Sequence, residues 1–99
     1  MAVRHVVSFK FNDDTTSADL DRISDAALAM SKEVEEVRGY SCGKDLGLKD
    51  DTYDLVAIAD FDDADGYLRY SAHPAHRRFV EGEIKPILVH RSAVQYELP

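Results

Sequence analysis

Apolar and polar residues alternate along several stretches of the chain, which is the pattern of β-strands that have one face buried. The first stretch, Val3 to Phe11, places on one face Val3, His5, Val7, Phe9 and Phe11. A second strand is predicted at Tyr40 to Leu46 and a third at Tyr53 to Phe61. The third also carries Val56 and Ile58 on its other face, so we expect a central strand that is covered on both sides.

A different spacing follows the first strand, where apolar residues recur at steps of three and four, as on one face of an α-helix. These residues are Leu20, Ile23, Ala27, Met30, Val34 and Val37. Thr16 and Asp19 have the spacing of a capping box, so this helix is predicted to begin just after Thr16. Shorter helices are expected over residues 63–70 and from Pro74 to about Gly82.

The last strand is predicted from Ile84 to Tyr96, apolar on both faces, with Pro86 among its first residues or at an edge of the sheet. The order strand, helix, strand, strand, helices, strand predicts an α+β fold, a ferredoxin-like four-stranded antiparallel sheet with helices on one face. The other face is expected to carry Val6, Ser8, Val56, Ile58, Leu88, His90 and Val94. A monomer would leave the apolar residues of that face exposed to water, so we expect a homodimer with the two sheets packed face to face.

Composition narrows the classes of partner. The 99 residues suffice for a single domain, residues 1–99, and the 19 acidic against 12 basic residues give a net charge of −7. This charge disfavours nucleic acid and anionic membranes as partners. The one cysteine, Cys42, cannot form an internal disulfide and is expected to pack as a small hydrophobe. No apolar signal region or bilayer-length apolar run is present in the sequence, so the cytoplasm is the expected compartment.

Proton-transfer chemistry concentrates in the segment Tyr70-Ser-Ala-His-Pro-Ala-His76. Pro74 suits the first turn of a helix and holds His73 outside it. His76 would then share a helix face with Phe79 and point inward, close to Tyr70. Imidazole titrates near neutral pH, so His76 is a candidate general base and Tyr70 a candidate hydrogen-bond donor. The alternative is that both residues are half-buried for packing and capping alone.

A metal site is disfavoured by the same segment. His73 and His76 are three residues apart, but the proline places His73 at the cap, and no carboxylate is positioned to complete a set of ligands. We therefore expect neither a metal nor another cofactor.

Three segments of the chain are similar to those of a known family, namely Arg-His-Val-Val-Ser-Phe-Lys-Phe at residues 4–11, Gly-Lys-Asp at 43–45 and Tyr-x-x-His-Pro-x-His at 70–76. In these segments and in the order of its elements, the chain resembles the stress-responsive A/B barrel (Dabb) domain family. The resemblance covers essentially the whole chain and implies a dimeric α+β barrel. The best understood member is a plant polyketide cyclase that closes a ring by an aldol reaction without a cofactor. The resemblance implies that Tyr70 and His76 form the catalytic pair and that His5 lines a pocket between sheet and helices.

Two positions depart from the pocket of that cyclase. Leu55 stands where the cyclase has a histidine, and Ala27 stands where it has a tyrosine. With Val7 and Phe79, they are expected to form a smaller and more apolar wall. The resemblance thus implies a cyclase or lyase acting on a short polyketide-like or other carbonyl compound. The alternatives are a non-catalytic stress-related dimer that is structural or binds a small apolar ligand and, by analogy of fold alone, a cofactor-free monooxygenase.

Overall fold

The computed structural model describes all 99 residues, Met1 to Pro99. In chain order the elements are β1 (Val3–Phe11), α1 (Ser17–Lys32), β2 (Gly39–Lys44), β3 (Leu55–Phe61), α2 (Ala64–Ala72), α3 (Pro74–Phe79) and β4 (Leu88–Glu97). A π-helical turn at Val80–Ile84 and a 3-10 turn at Lys85–Ile87 join α3 to β4. None of the helices has both the length and the apolar character needed to cross a membrane.

The four strands form one antiparallel sheet in the order β2-β3-β1-β4, so β1 and β3 are its central strands. The apolar alternation predicted for β1 matches the burial of its side chains. The odd-numbered residues are buried under the helices, and the even-numbered residues are only partly covered. The predicted ferredoxin-like α+β fold is confirmed.

The first helix begins where its capping box predicts. The Thr16 hydroxyl accepts a hydrogen bond from the backbone N–H of Asp19 at 3.1 Å, and the Asp19 carboxylate accepts one from the Thr16 N–H at 2.9 Å. The helix ends at Lys32, earlier than the apolar stripe predicted. Val34 is nevertheless buried, because consecutive turns after the helix keep the spacing of three and hold it against the core. The apolar pattern was correct there, but its helical interpretation was wrong.

The hairpin between β2 and β3 begins earlier than predicted. β2 ends at Lys44 because the Asp45 carboxylate accepts hydrogen bonds from the Gly47 N–H at 2.9 Å and the Thr52 hydroxyl at 2.8 Å. The backbone N–H of Asp45 still donates to the Asp54 carbonyl at 2.9 Å, and the side-chain contacts of Asp45 then turn the chain away from the sheet. Leu46, predicted to lie in the strand, is therefore exposed in the loop.

The predicted start of the last strand at Ile84 was wrong. Ile84 lies in the π-helical turn and is almost fully buried, and Pro86 lies in the 3-10 turn that precedes β4. A short buried apolar run has the same periodicity in a turn as in a strand, so the sequence pattern does not separate the two. A register shift after Lys10 then pairs Phe11 with Leu88. Leu88 is thereby on the helical face and not, as expected, on the opposite one.

The sheet face without helices, called the open face below, carries Val6, Ser8, Val56, Ile58, His90 and Val94. Val6 pairs with Ile58 on one side and with Val94 on the other, so the apolar residues are contiguous across three strands. Val94 is 55% exposed. A bidentate ion pair between Arg4 and Asp60, with one contact at 2.8 Å, borders this apolar area.

Candidate active site

A cavity of about 270 Å³ lies between the helical face of the sheet and the segment that runs from α2 to the 3-10 turn. Most of its wall is apolar or aromatic. Its polar side chains come from His5, Tyr40, Tyr67, Tyr70, Ser71, His76, Lys85 and Arg91. A larger depression of about 640 Å³ lies near Met1 and the end of β4, but it is shallower and holds no histidine. The cavity that holds the histidines is the more enclosed of the two and is therefore the stronger candidate for chemistry.

Five of the residues singled out in the sequence meet in this cavity, namely His5, Val7, Tyr70, His76 and Phe79. Two others, Leu55 and Ala27, do not line it. Leu55 is 2% exposed and belongs to the hydrophobic core, and Ala27, a residue of α1, is completely buried. Neither side chain has surface left for a ligand, which corrects the pocket wall expected from the resemblance.

The start of α3 positions His76. Pro74 occupies the first turn, and His73 remains extended with ψ of 137°. The His73 Nδ1 accepts a hydrogen bond from the Ala75 N–H at 3.0 Å, so this histidine caps the helix and leaves His76 facing the cavity. The ring of His76 lies 4.4 Å from that of Tyr70, centroid to centroid. The predicted helix start and the predicted proximity of imidazole and phenol are both present.

One hydrogen bond determines the tautomer of His76. Its Nδ1 lies 3.2 Å from the backbone oxygen of Ser71, and because a carbonyl can only accept, Nδ1 must carry the proton. Neutral His76 then has its lone pair on Nε2, which has no hydrogen-bond partner in the protein. Burial lowers the pKa of His76, and the Ser71 carbonyl acts in the opposite direction. His76 therefore has a free basic nitrogen at neutral pH.

His5 has the opposite tautomer. Its Nδ1 lies 2.8 Å from the amide nitrogen of Gln95, which donates, so the proton of neutral His5 is on Nε2. Burial, with smaller contributions from the Arg91 charge and His76, lowers the pKa of His5 to about 4. The cavity thus holds two neutral imidazoles with opposite roles, a hydrogen-bond acceptor at His76 and a donor at His5.

The tyrosines supply phenolic donors. Burial raises the pKa of Tyr70 and of Tyr40 above their usual range, so both phenols stay protonated at neutral pH. Tyr67 packs 4.9 Å from the His5 ring. The sequence analysis missed Tyr67 and Tyr40. Tyr67 could have been found, because it lies three residues before Tyr70 on the same helix face.

Lys85 and Arg91 were missed as well, and no local pattern marks them. Lys85 was predicted to lie in a strand, and Arg91 lines the cavity because of the register of β4 against β1.

Cys42 lies outside the cavity wall, half-buried, with its sulfur 3.7 Å from the Ser24 hydroxyl. Burial raises the pKa of its thiol, as for a packing residue. No cluster of three or more His, Cys, Asp or Glu side chains in the structure is arranged to hold a metal ion.

Solved structures with a similar fold include proteins described as dimeric and one described as a Dabb family protein. A dimeric ferredoxin-like protein of unknown function from Thermobifida fusca is 36% identical, with a TM-score of 0.89 over 99% of this chain and 92% of that one. A Dabb family protein from Mesorhizobium loti is 23% identical, with a TM-score of 0.82 over 99% and 97%. A hydroxynitrile lyase from Passiflora edulis shares the fold at 19% identity, with a TM-score of 0.84 over 99% and 94%.

Sequence comparison agrees with the structural one. An uncharacterized protein of Streptomyces coelicolor is 33% identical over 78 residues, which cover 76% of this chain and 79% of that protein. Residues 3–98 match the sequence model of the stress-responsive A/B barrel domain. The chain therefore belongs to the stress-responsive A/B barrel (Dabb) domain family.

Proposed function

We propose that the chain is a cofactor-independent lyase or cyclase that forms or breaks a carbon–carbon bond next to the carbonyl group of a small molecule. The observation that carries this proposal is the free Nε2 of neutral His76 in a partly enclosed, largely apolar cavity, next to the buried phenol of Tyr70. Such a nitrogen is a general base at neutral pH, and the apolar wall strengthens its electrostatic interactions with a bound substrate.

The reaction needs only these groups. In the bond-forming direction, His76 Nε2 takes a proton from the carbon next to a carbonyl, and the electron pair of the C–H bond moves to give an enolate. Hydrogen bonds from Tyr70 and from His5 Nε2–H stabilise the enolate oxygen. The enolate carbon attacks a second carbonyl, and the alkoxide formed takes the proton back from His76. In the cleavage direction, His76 deprotonates a hydroxyl, the oxygen forms a new carbonyl, and the adjacent carbon–carbon bond breaks. The electron pair of that bond leaves as an enolate, which takes the proton from His76 at carbon.

The cavity favours a small substrate. Pockets for drug-sized ligands are typically about 300–1,000 Å³, so about 270 Å³ is suited to a compound with one ring or a short chain. This size supports a short polyketide-like or other small carbonyl compound. The similar fold of the Passiflora edulis hydroxynitrile lyase supports lyase chemistry in this architecture, by analogy of fold.

We also propose that the chain is a homodimer that packs through the open face. Related structures are described as dimeric, and the apolar residues of the open face are only partly covered within one chain. The active-site cavity lies on the other side of the sheet, so this interface would leave it accessible.

A second candidate function is a dimer that is structural or only binds a small apolar ligand. Its support is that the interactions of His73 and His76 with backbone atoms also stabilise the turn between α2 and α3. In that case the imidazole would be a packing residue, and its replacement would change stability without changing any reaction.

The deciding experiment measures proton abstraction and does not require the natural substrate. We expect the wild type to accelerate hydrogen–deuterium exchange at the methyl group of acetophenone in D₂O, followed by proton NMR. His76→Ala should lose about a hundredfold or more of this acceleration, because a positioned general base contributes about that much. Tyr70→Phe should lose less, about tenfold, because it removes one hydrogen bond and keeps the base.

The control is Arg77→Ala, which removes an exposed side chain outside the cavity wall. We expect its exchange rate to match that of the wild type. Exchange no faster than in buffer, or equal rates for the wild type and folded His76→Ala, would contradict the proposal and favour the binding or structural function.

A further inference from the structure

We propose that Arg91 binds a carboxylate of the substrate, so that the natural substrate is a small carbonyl compound carrying a negatively charged group. This inference rests on the proposed function, since it assigns the substrate class of the same cavity. It depends on the distribution of charge in the chain.

Arg91 is a cation without an acidic partner in an acidic protein. Eight of the 12 lysines and arginines form ion pairs with Asp or Glu side chains. The four that do not are Lys32, Lys49, Arg77 and Arg91. Of these four, only Arg91 lines the cavity. In a chain of net charge −7, an unpaired guanidinium at a cavity indicates a role for an anion from outside the chain.

The cavity wall contains no counter-charge. No Asp or Glu lines it, and both of its histidines are neutral at neutral pH. Lys85 is the other lining cation, but its ammonium is paired with Glu81 at 2.7 Å. The cavity is thus a positively charged site on a negatively charged protein, which attracts a small anion and repels a cation. The planar guanidinium can hold a carboxylate through two parallel hydrogen bonds.

Arg91 and His76 line the same cavity of about 270 Å³, so one small molecule bound there can contact both. Burial is the main cause of the lowered pKa of His76 and of His5, and the charge of Arg91 lowers both further. A carboxylate bound to Arg91 would offset that charge and raise the basicity of His76. An anionic substrate would therefore increase the strength of the base that acts on it, and a neutral analogue would not.

The test compares two unreactive ligands of similar shape, benzoate and benzamide, by isothermal titration calorimetry at neutral pH. We expect the wild-type protein to bind benzoate about tenfold or more tightly than benzamide, as for a hydrogen-bonded charge pair. Arg91→Gln should abolish this preference. Arg91→Lys should keep part of it, because the lysine ammonium preserves the charge but cannot form the two parallel hydrogen bonds of the guanidinium. Arg77→Gln is the matched control, since Arg77 is exposed, unpaired and outside the cavity wall, and it should keep the full preference.

Equal affinities of the wild type for benzoate and benzamide, an absence of benzoate binding, or a preference that persists in Arg91→Gln would overturn the inference. If Arg91→Gln does not fold, as judged by circular dichroism, the same comparison is made with Arg91→Lys. An undiminished preference for benzoate in Arg91→Lys would then overturn the inference. Failure here is separable from failure of the proposed function. Acetophenone exchange can proceed without a carboxylate preference, and benzoate can bind at Arg91 in a protein that catalyses no exchange.

Discussion

Replacing His5 should reveal how much the buried neutral imidazole makes stability depend on pH. His5 is 5% exposed, and its pKa falls from about 6.5 in the unfolded chain to about 4 in the native state. Between these values the unfolded chain binds a proton that the native state does not, so stability falls as pH decreases from about 6.5 to about 4. Above about pH 6.5 the contribution of His5 is constant.

The magnitude follows from the size of the shift. Lowering the pKa from about 6.5 to about 4 corresponds to about 3 kcal/mol, since one pKa unit is about 1.4 kcal/mol. His5 lines a cavity that admits water, and solvent screening reduces the cost of charging it. We therefore expect His5 to account for about 2 kcal/mol of the stability lost between about pH 7.5 and pH 4.5.

Urea denaturation followed by circular dichroism, at one fixed protein concentration and several pH values, measures this quantity. The difference in unfolding free energy between the two pH values should be about 2 kcal/mol smaller for His5→Gln than for the wild type, because glutamine does not titrate. Arg77→Gln replaces an exposed residue that does not titrate in this range and should retain the wild-type difference. Parallel pH profiles for the wild type and His5→Gln would refute the argument that desolvation of His5 controls this loss.

Two further substitutions test the interface and the core. Ile58→Asp should convert the dimer to a monomer in light scattering, since an obligate interface buries on the order of 2,000 Å² and does not tolerate an unpaired charge. Leu68→Asp, at an exposed position of α2, is the control and should leave the dimer intact. A folded wild-type monomer at micromolar concentration would disprove the interface. Ile84→Ala should lower the free energy of unfolding, measured by urea denaturation, by about 2–5 kcal/mol, because the side chain is 1% exposed in the core. Leu68→Ala, at an exposed position, should lower it by about 0.5 kcal/mol or less, and equal losses would contradict the assigned burial.

Local patterns in the sequence were enough to predict most of the fold. The alternation from Val3 to Phe11 gave the whole of β1 with the correct face buried, because a strand exposes its side chains to two environments with a period of two. The capping box at Thr16 gave the start of α1, and Pro74 gave the start of α3. Each of these signals acts within a few residues, so no tertiary contact was needed to interpret it.

The candidate site was only partly predictable. His76 and Tyr70 lie in one short segment, and their proximity follows from the turn between two helices. The apolar alternation of β1 also placed His5 on the buried face of the sheet, under the helices. The tautomers, however, depend on Ser71 and Gln95, and Gln95 meets His5 only because β4 pairs with β1 across 90 residues of chain.

Tertiary structure alone decided the charge and the wall of the cavity. The strand register brings Arg91 to the helical face, and the register shift after Lys10 moves Leu88 there as well. Ala27 and Leu55 were expected at the wall but are buried in the core, since packing depth is not encoded in the spacing of a single element. The sequence by itself thus determined which face each local element buries, and the long-range pairing of β4 decided which polar groups meet in the cavity.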